Sequence, residues 1–185
     1  MARRNDFQPD SVNHDILGKL LPTKLQRKEL AKWLLFSLVC LAGLLIQDVI
    51  MSRVSIFGVT TDLAACCILA VCIIQGGESG SIFALCASVV YYYSDSAPGP
   101  YCIVLLTAIG IFVAIFRQIF LSQGFFTLLL CLAGAMLLYE MSVFVVGLFL
   151  RHTIWARAGI FAGSALLTLV FVPVLYPIFV SIGKI

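Results

Sequence analysis

The feature that most constrains this chain is a series of long, unbroken apolar blocks that begins near Trp33 and continues to the C-terminus. Hydrophobic residues make up 62% of the chain and charged residues 11%. Soluble domains have about 45–50% apolar and about 25% charged residues, so this chain cannot keep its apolar surface away from water in the way they do. Only helices and closed barrels satisfy the backbone inside a bilayer. Because barrel strands alternate apolar and polar residues, the unbroken blocks predict an all-α fold, a polytopic membrane helical bundle.

Basic residues are concentrated ahead of the first apolar block, which fixes the predicted orientation. They are Arg3, Arg4, Lys19, Lys24, Arg27, Lys28 and Lys32. Because basic flanks of the first span stay in the cytoplasm, the N-terminus is predicted to be cytoplasmic. The chain then divides into a basic cytoplasmic tail with a short juxtamembrane helix at residues 1–32 and a transmembrane helical bundle at residues 33–185. Acidic residues dilute the charge of the tail, so we predict contact with the lipid bilayer and no nucleic acid.

Polar breaks divide the apolar part of the chain into six helical segments. These are residues 33–51, 63–74, 79–93, 101–116, 124–150 and 158–185. The second and third are short: each has about 15 residues, or about 22 Å of helix against a hydrocarbon core of about 30 Å. Fused into one helix they would reach about 46 Å, too long without severe tilt. The distribution of Lys and Arg favours neither five nor six spans. Residues 75–78, Q-G-G-E, favour a turn, and six spans are therefore predicted.

A carboxylate inside an apolar block costs several kcal/mol if it faces lipid, so Glu140 is expected to face protein or a wet cavity. In the six-span arrangement Asp48 and Glu140 lie at similar depth near the outer surface. The other charged residues predicted on that side are Arg53, Asp62, Asp95, Arg151 and Arg157. We predict a polar cluster at the outer mouth of the bundle, with a partner-binding or structural role. The alternative is a set of unrelated interfacial charges.

Small residues recur at four-residue spacing from the predicted turn into the third segment, at Gly76, Gly80 and Ala84. Such spacing lets two helix backbones approach closely in lipid. We predict helix-packing roles for these three residues and for Gly99. The pattern fits packing inside the bundle and also docking of a partner helix.

Catalytic and metal-binding patterns are absent from the sequence. The histidines are His14 in the tail and His152 in a short loop, and neither lies near a Cys or Ser in a nucleophile arrangement. No zinc-protease helix motif or phosphate-binding glycine loop occurs. The seven cysteines lie in apolar blocks, where they behave as small hydrophobic residues. We therefore predict no catalytic residue, no cofactor and no metal site, and hence no enzyme.

Four stretches, in this order, resemble the MreD family of rod shape-determining membrane proteins. They are S-I-F-G-V-T-T-D-L, G-G-E-S-G, S-D-S-A-P-G-P-Y and L-Y-E-M-S-V-F. The resemblance covers about residues 33–150 and implies that Glu140 is the family's intramembrane carboxylate. One departure is that Tyr91 stands where the family usually has an Asp near the end of the third helix. Asp95, one helical turn later, is the candidate replacement.

The resemblance implies a non-enzymatic scaffold of the cell-wall elongation machinery in the bacterial cytoplasmic membrane. Its implied partners are an MreC-like single-span protein, the RodA polymerase with a class B penicillin-binding protein, and MreB on the cytoplasmic side. A second hypothesis is a solute-binding subunit similar to the substrate-capture components of energy-coupling-factor vitamin transporters, whose fold resembles that of MreD. In that case an outer cavity would be lined by Tyr91, Tyr92, Tyr93 and Asp95.

Overall fold

The computed structural model of the protein describes residues 24–50, 59–120 and 125–183, and all regular secondary structure in these ranges is helical. The α-helices are α1 (Lys24–Val49), α2 (Leu63–Gln75), α3 (Gly77–Tyr93), α4 (Tyr101–Phe120), α5 (Phe125–Phe149), α6 (Ala158–Leu169) and α7 (Val172–Gly183). A 3-10 turn at Trp155–Arg157 precedes α6. The prediction of an all-α fold is confirmed.

Two helices are long and apolar enough to cross a membrane, at Arg27–Val49 and Phe125–Phe149. The pair formed by α6 and α7 adds a third if it is counted as one broken span. Two further helices are apolar but shorter, at Leu63–Gln75 and Tyr101–Arg117. At 1.5 Å per residue, α2 is about 20 Å long, less than the core of a bilayer. The count of six spans stays a prediction.

Helices α2 to α5 lie where the sequence places the second to fifth segments, with ends that differ by at most four residues. The first helix differs more, because α1 begins at Lys24 and continues without a break past Trp33. The predicted juxtamembrane helix and the first span are therefore one helix, and the predicted boundary at residue 32 falls inside it. Residues 1–23 lie outside the described part of the chain.

The short helix α2 is the centre of the bundle and packs against each of the other six described helices. Every residue from Leu63 to Ile73 is buried. A helix that is buried on all sides is apolar on all sides, and α2 consists of Leu, Ile, Val, Ala and Cys up to its final Gln75. Its Ala and Cys residues let neighbouring backbones approach, which is the main source of helix association in lipid.

The turn between α2 and α3 is tighter than predicted and centres on Gly76. This residue has φ 62° and Gly77 has φ 53°, a region that residues with a Cβ adopt at a cost. Gly77 and Glu78 already belong to the first turn of α3. Gly76 thus forms the turn between the two helices and lies close to α4, where an added Cβ would be 3.9 Å from the carbonyl oxygen of Ala114; its helix-packing role stays a prediction.

Gly80 and Ala84 lie on the packed face of α3. A Cβ added to Gly80 would lie 3.0 Å from the backbone oxygen of Cys72 in α2, and the Cys72 thiol donates a hydrogen bond to the Gly80 carbonyl at 3.4 Å. Ala84 is buried against Gly110 of α4, where an added Cβ would lie 2.8 Å from the Ala84 Cβ. These contacts are within the bundle, one of the two options that the sequence left open.

Gly99 does not lie in a helix, which corrects its predicted helix-packing role. It lies in the connection between α3 and α4. A Cβ added there would lie 2.5 Å from the ring of Tyr101. The absence of a side chain at Gly99 thus leaves space for the first residue of α4.

The last predicted helix, residues 158–185, is divided into α6 and α7, which are bent by 54°. Helix α6 ends at Leu169, four residues before Pro173. A proline has no N–H for the carbonyl four residues earlier, and its ring clashes with that carbonyl. Pro173 accordingly lies at the second position of α7, where a missing N–H leaves no helical bond unmade.

Candidate functional site: a polar pocket at one end of the bundle

Two polar side chains accept hydrogen bonds from the backbone N–H groups at the N-terminal end of the central helix α2. The carboxylate Oδ1 of Asp62 accepts the N–H of Ala65 at 3.1 Å, and Oε1 of Gln47 in α1 accepts the N–H of Ala64 at 2.7 Å. The first N–H groups of a helix have no partner within it, and an N-cap contributes about 1 kcal/mol. At the opposite end, Arg117 of α4 donates to the carbonyl of Ile74.

Tyr91 provides the second bond to the Asp62 carboxylate. Its side chain is 1% exposed, and its hydroxyl group donates to Oδ2 of Asp62 at 2.9 Å. Asp62 precedes the first residue of α2; burial raises the pKa of Asp62, and the hydrogen bonds from Ala65 and Tyr91 lower it in part. Both oxygens of this carboxylate are therefore engaged within the protein.

Glu140 of α5 is connected to Asp62 through two side chains of α6. Its Oε1 accepts the hydroxyl of Ser164 at 2.7 Å. The hydroxyl of Thr168 donates to the carbonyl of Ser164 at 2.7 Å and accepts the N–H of Asp62 at 3.0 Å. Ser164, through its hydroxyl and its backbone carbonyl, and Thr168 thus link the Glu140 carboxylate to the backbone N–H of Asp62.

Asp62 and Glu140 line one pocket of about 270 Å³. The pocket is formed by the end of α1, the segment directly before α2, the end of α3 with the connection that follows it, the second half of α5 and the start of α6. Its lining residues are Gln47, Thr60, Thr61, Asp62, Tyr91, Ser96, Pro98, Tyr139, Glu140, Val143, Ile160, Phe161 and Ser164. No Lys, Arg or His is among these lining residues, all of which belong to the described ranges. The hydroxyls of Thr61 and Tyr139 are buried and have no hydrogen-bond partner in the described part of the chain.

The residues of the predicted polar cluster separate into three groups. Asp62 and Glu140 lie in the pocket. Asp48, at the end of α1, accepts a hydrogen bond from the pocket residue Ser96. Asp95 and Arg151 are exposed and are not among the residues that line the pocket. Arg53 lies outside the described residues.

Asp95 and Arg151 share a backbone role that the sequence did not suggest. Each lies two residues beyond a helix, α3 or α5, and has a left-handed backbone, with φ 62° for Asp95 and φ 58° for Arg151. Helices commonly end with a residue in this conformation. Asp adopts it more readily than most residues with a side chain. Their position is therefore explained by helix termination.

Several residues of the site were not predicted from the sequence, among them Tyr139, Ser164 and Thr168. Tyr91 was expected at a cavity only in the vitamin-subunit hypothesis, together with Tyr92 and Tyr93, yet the latter two are exposed. Ser164 and Thr168 are four residues apart on α6, a spacing that places them on one helix face. Two hydroxyls on one face of an apolar helix were an available signal.

The chemistry of the site is that of hydrogen bonding and charge. It combines two carboxyl groups with several hydroxyls and one amide. Within the ranges that the structure describes, no three His, Cys, Asp or Glu side chains form a group that could hold a metal ion. The arrangement is suited to receiving a group that donates several hydrogen bonds.

No protein-family model, curated protein or solved structure matches this chain. The fold alone defines the class, which is an all-helical protein with two or three candidate transmembrane helices. The resemblance to the MreD family therefore remains a prediction from the sequence.

Proposed function

We propose that this protein is a non-enzymatic, multi-pass membrane scaffold of the MreD kind. It holds an MreC-like single-span protein in the bacterial cytoplasmic membrane and, with it, RodA and a class B penicillin-binding protein. MreB lies on the cytoplasmic side. The observation that carries the proposal is the convergence of three of the four stretches that resemble MreD.

Those three stretches are far apart in sequence but line a single pocket. The stretch S-I-F-G-V-T-T-D-L contributes Thr60, Thr61 and Asp62. The stretch S-D-S-A-P-G-P-Y contributes Ser96 and Pro98, and L-Y-E-M-S-V-F contributes Tyr139, Glu140 and Val143. A chance likeness along the sequence would not be expected to collect at one place in the fold. The remaining stretch, G-G-E-S-G, forms the turn between α2 and α3 and the first turn of α3 at the other end of the bundle.

The helix directions agree with the six proposed spans, and the basic N-terminal flank is the reason for proposing a cytoplasmic N-terminus. The pocket collects the C-terminal ends of α1 and α3 and the N-terminal ends of α2 and α6, as successive antiparallel crossings require. If α1 runs outward from its basic end, then the pocket lies at the outer surface. There it is accessible to the extracytoplasmic part of a partner.

Helix α1 offers the largest surface for a partner helix. It is a candidate span, and only 17% of its apolar window is buried within the chain. Beside it an apolar groove of about 180 Å³ runs between α1, α2 and α3. Leu41 of α1 and Val90 of α3 are exposed at this groove. Lipid chains or a partner helix can cover such a surface, and in the proposed assembly MreC covers it.

The vitamin-subunit alternative has less support from the geometry. A pocket of about 270 Å³ is smaller than the 300–1,000 Å³ or so that is typical of sites for drug-sized ligands. Of the residues expected to line an outer cavity, Tyr91 does so. Tyr93 is 81% exposed, and Asp95 is also at the surface.

Co-purification tests the proposal. The tagged full chain is expressed with the MreC-like protein of the same bacterium, solubilised in mild detergent and isolated. We expect the MreC-like protein to be strongly enriched over an unrelated single-span protein of similar hydropathy. Equal recovery of the two would contradict the scaffold, and recovery of a bound vitamin with transporter ATPases would favour the alternative.

A further inference from the structure

The described residues that line the polar pocket include two acidic side chains, Asp62 and Glu140, and no Lys, Arg or His. Glu140 is 6% exposed, and only its Oε1 has a hydrogen-bond partner in the described residues. Removing a carboxylate from water is expensive unless it is paired or protonated. The pocket therefore favours a group that brings positive charge.

The unpartnered hydroxyls are an independent indication of a ligand. Thr61 is 7% exposed and Tyr139 is 1% exposed, and both side chains line the pocket. A buried hydroxyl that makes no hydrogen bond destabilises the folded protein. Each can accept a hydrogen bond from an N–H group. A ligand with several N–H donors would satisfy both hydroxyls and Oε2 of Glu140.

Aromatic rings and the size of the pocket narrow the ligand class. Tyr91, Tyr139 and Phe161 are among the lining residues, and aromatic faces attract ammonium and guanidinium groups. The volume of about 270 Å³ far exceeds the 10–15 Å³ or so that one water molecule needs. Because it lies below the range for drug-sized ligands, it suits one cationic group with its methylene stem.

We propose that this pocket binds an organic cation, an alkylguanidinium or alkylammonium group, through Asp62, Glu140 and the hydroxyls of Thr61 and Tyr139. The cation belongs either to a free solute or to an Arg or Lys side chain of another protein. This inference goes beyond the scaffold and does not depend on the identity of its partners. Anions are disfavoured, because both carboxyl groups face the same space.

The test measures binding of N-acetyl-arginine amide and N-acetyl-lysine amide to the purified full chain in detergent by calorimetry. N-acetyl-citrulline amide is the matched probe, since it has nearly the shape of the arginine compound without its charge. We expect at least one cationic probe to bind at least tenfold more tightly than the citrulline compound. If neither does, the proposal is wrong.

Three variants locate the binding. Glu140→Gln should weaken binding of the cation at least tenfold, whereas Glu78→Gln, an exposed residue at the other end of the bundle, should leave it unchanged. Tyr139→Phe is a second pocket variant that should fold even if Glu140→Gln does not, because the hydroxyl that it removes makes no hydrogen bond in the described structure. It should keep the stability of the protein and weaken binding about threefold or more, as loss of one hydrogen bond predicts. Wild-type affinity in both pocket variants would overturn the site.

A second set of measurements distinguishes the two sources of the cation. An acetylated heptapeptide with one arginine between alanines is compared with N-acetyl-arginine amide. Tighter binding of the peptide indicates a protein side chain, and equal binding together with an amine found by mass spectrometry in the purified protein indicates a free solute. Both results support a cation site. If all cationic probes fail, the cation proposal is overturned, while the co-purification result still decides the scaffold separately.

Discussion

The hydroxyl of Tyr91 donates to Oδ2 of Asp62 at 2.9 Å and so joins the last turn of α3 to the cap of α2. Tyr91 is the position at which the MreD resemblance would place an acid. In this chain the acid beside Tyr91 is Asp62, from a different segment, and Tyr91 serves as its hydrogen-bond donor. Asp95 is exposed and is not among the residues that line the pocket; its role as the replacement acid stays a prediction.

Tyr91→Phe should destabilise the protein, because it leaves an oxygen of the half-buried Asp62 without its donor. Hydrogen bonds to charged groups contribute about 1.5–3 kcal/mol. We expect a lower midpoint of thermal unfolding in detergent than for Tyr93→Phe, which alters an 81% exposed side chain. Equal midpoints for the two variants would show that the Tyr91 bond does not stabilise the fold.

Asp95→Gly should leave stability unchanged or raise it, because φ at Asp95 is 62° and glycine adopts this conformation without strain. Asp95→Val should lower stability by about 1 kcal/mol or more, since a β-branched residue is strained there. Thermal unfolding measures both. If Asp95→Gly abolished co-purification with the partner while the fold stayed intact, the Asp95 carboxylate would have a role that its position does not explain.

The same residues show which parts of the site the sequence could predict. Glu140 was identifiable because a carboxyl group within an apolar block has few stable environments, and the α2–α3 turn because Gly76 and Gly77 interrupt a helix. The hydrogen-bond partners of Asp62 were not identifiable from the sequence, since Thr168 is 106 residues away and Tyr91 is 29 residues away. Three adjacent tyrosines point in different directions around a helix, and only the tertiary packing determines which one is buried.

Some helix ends could also be predicted from the sequence, and others could not. The limits of α2 to α5 follow from polar breaks and glycines that act locally. The division of the last helix was missed although Pro173 was visible, because a proline within an apolar run can kink a helix or end it. Here the chain bends by 54°, so that α7 packs against α2 and α1. That outcome depends on packing partners far away in sequence.

Gly80→Ala should destabilise the protein. Its added Cβ would meet the Cys72 carbonyl oxygen at 3.0 Å, and backbone atoms of a buried helix cannot move aside without loss of packing. Overpacking of this kind costs about 1–3 kcal/mol. Gly134→Ala in α5 is the matched control, since nothing lies within 4 Å of its added Cβ; it should raise stability by about 0.5–1 kcal/mol through helix propensity.

The midpoints of thermal unfolding of the two glycine variants are compared in the same detergent. They show whether close helix packing or helix propensity determines the effect of an added methyl group. If Gly80→Ala were as stable as Gly134→Ala, the close approach of α3 to α2 at Gly80 would not be required.

Pro100→Cys and Glu78→Cys should be labelled from opposite sides of the membrane. Both residues are exposed; Pro100 lies directly before α4 in the connection from α3, at the pocket end, and Glu78 lies in the first turn of α3, at the other end. In the six-span arrangement α3 runs outward, so a membrane-impermeant maleimide should reach the cysteine at position 100 in intact spheroplasts. The cysteine at position 78 should react only after permeabilisation. The unmodified chain provides the background signal from its own seven cysteines. Labelling of both positions from the same side would mean that α3 does not cross the bilayer. The six-span topology would then no longer place the pocket at the outer surface.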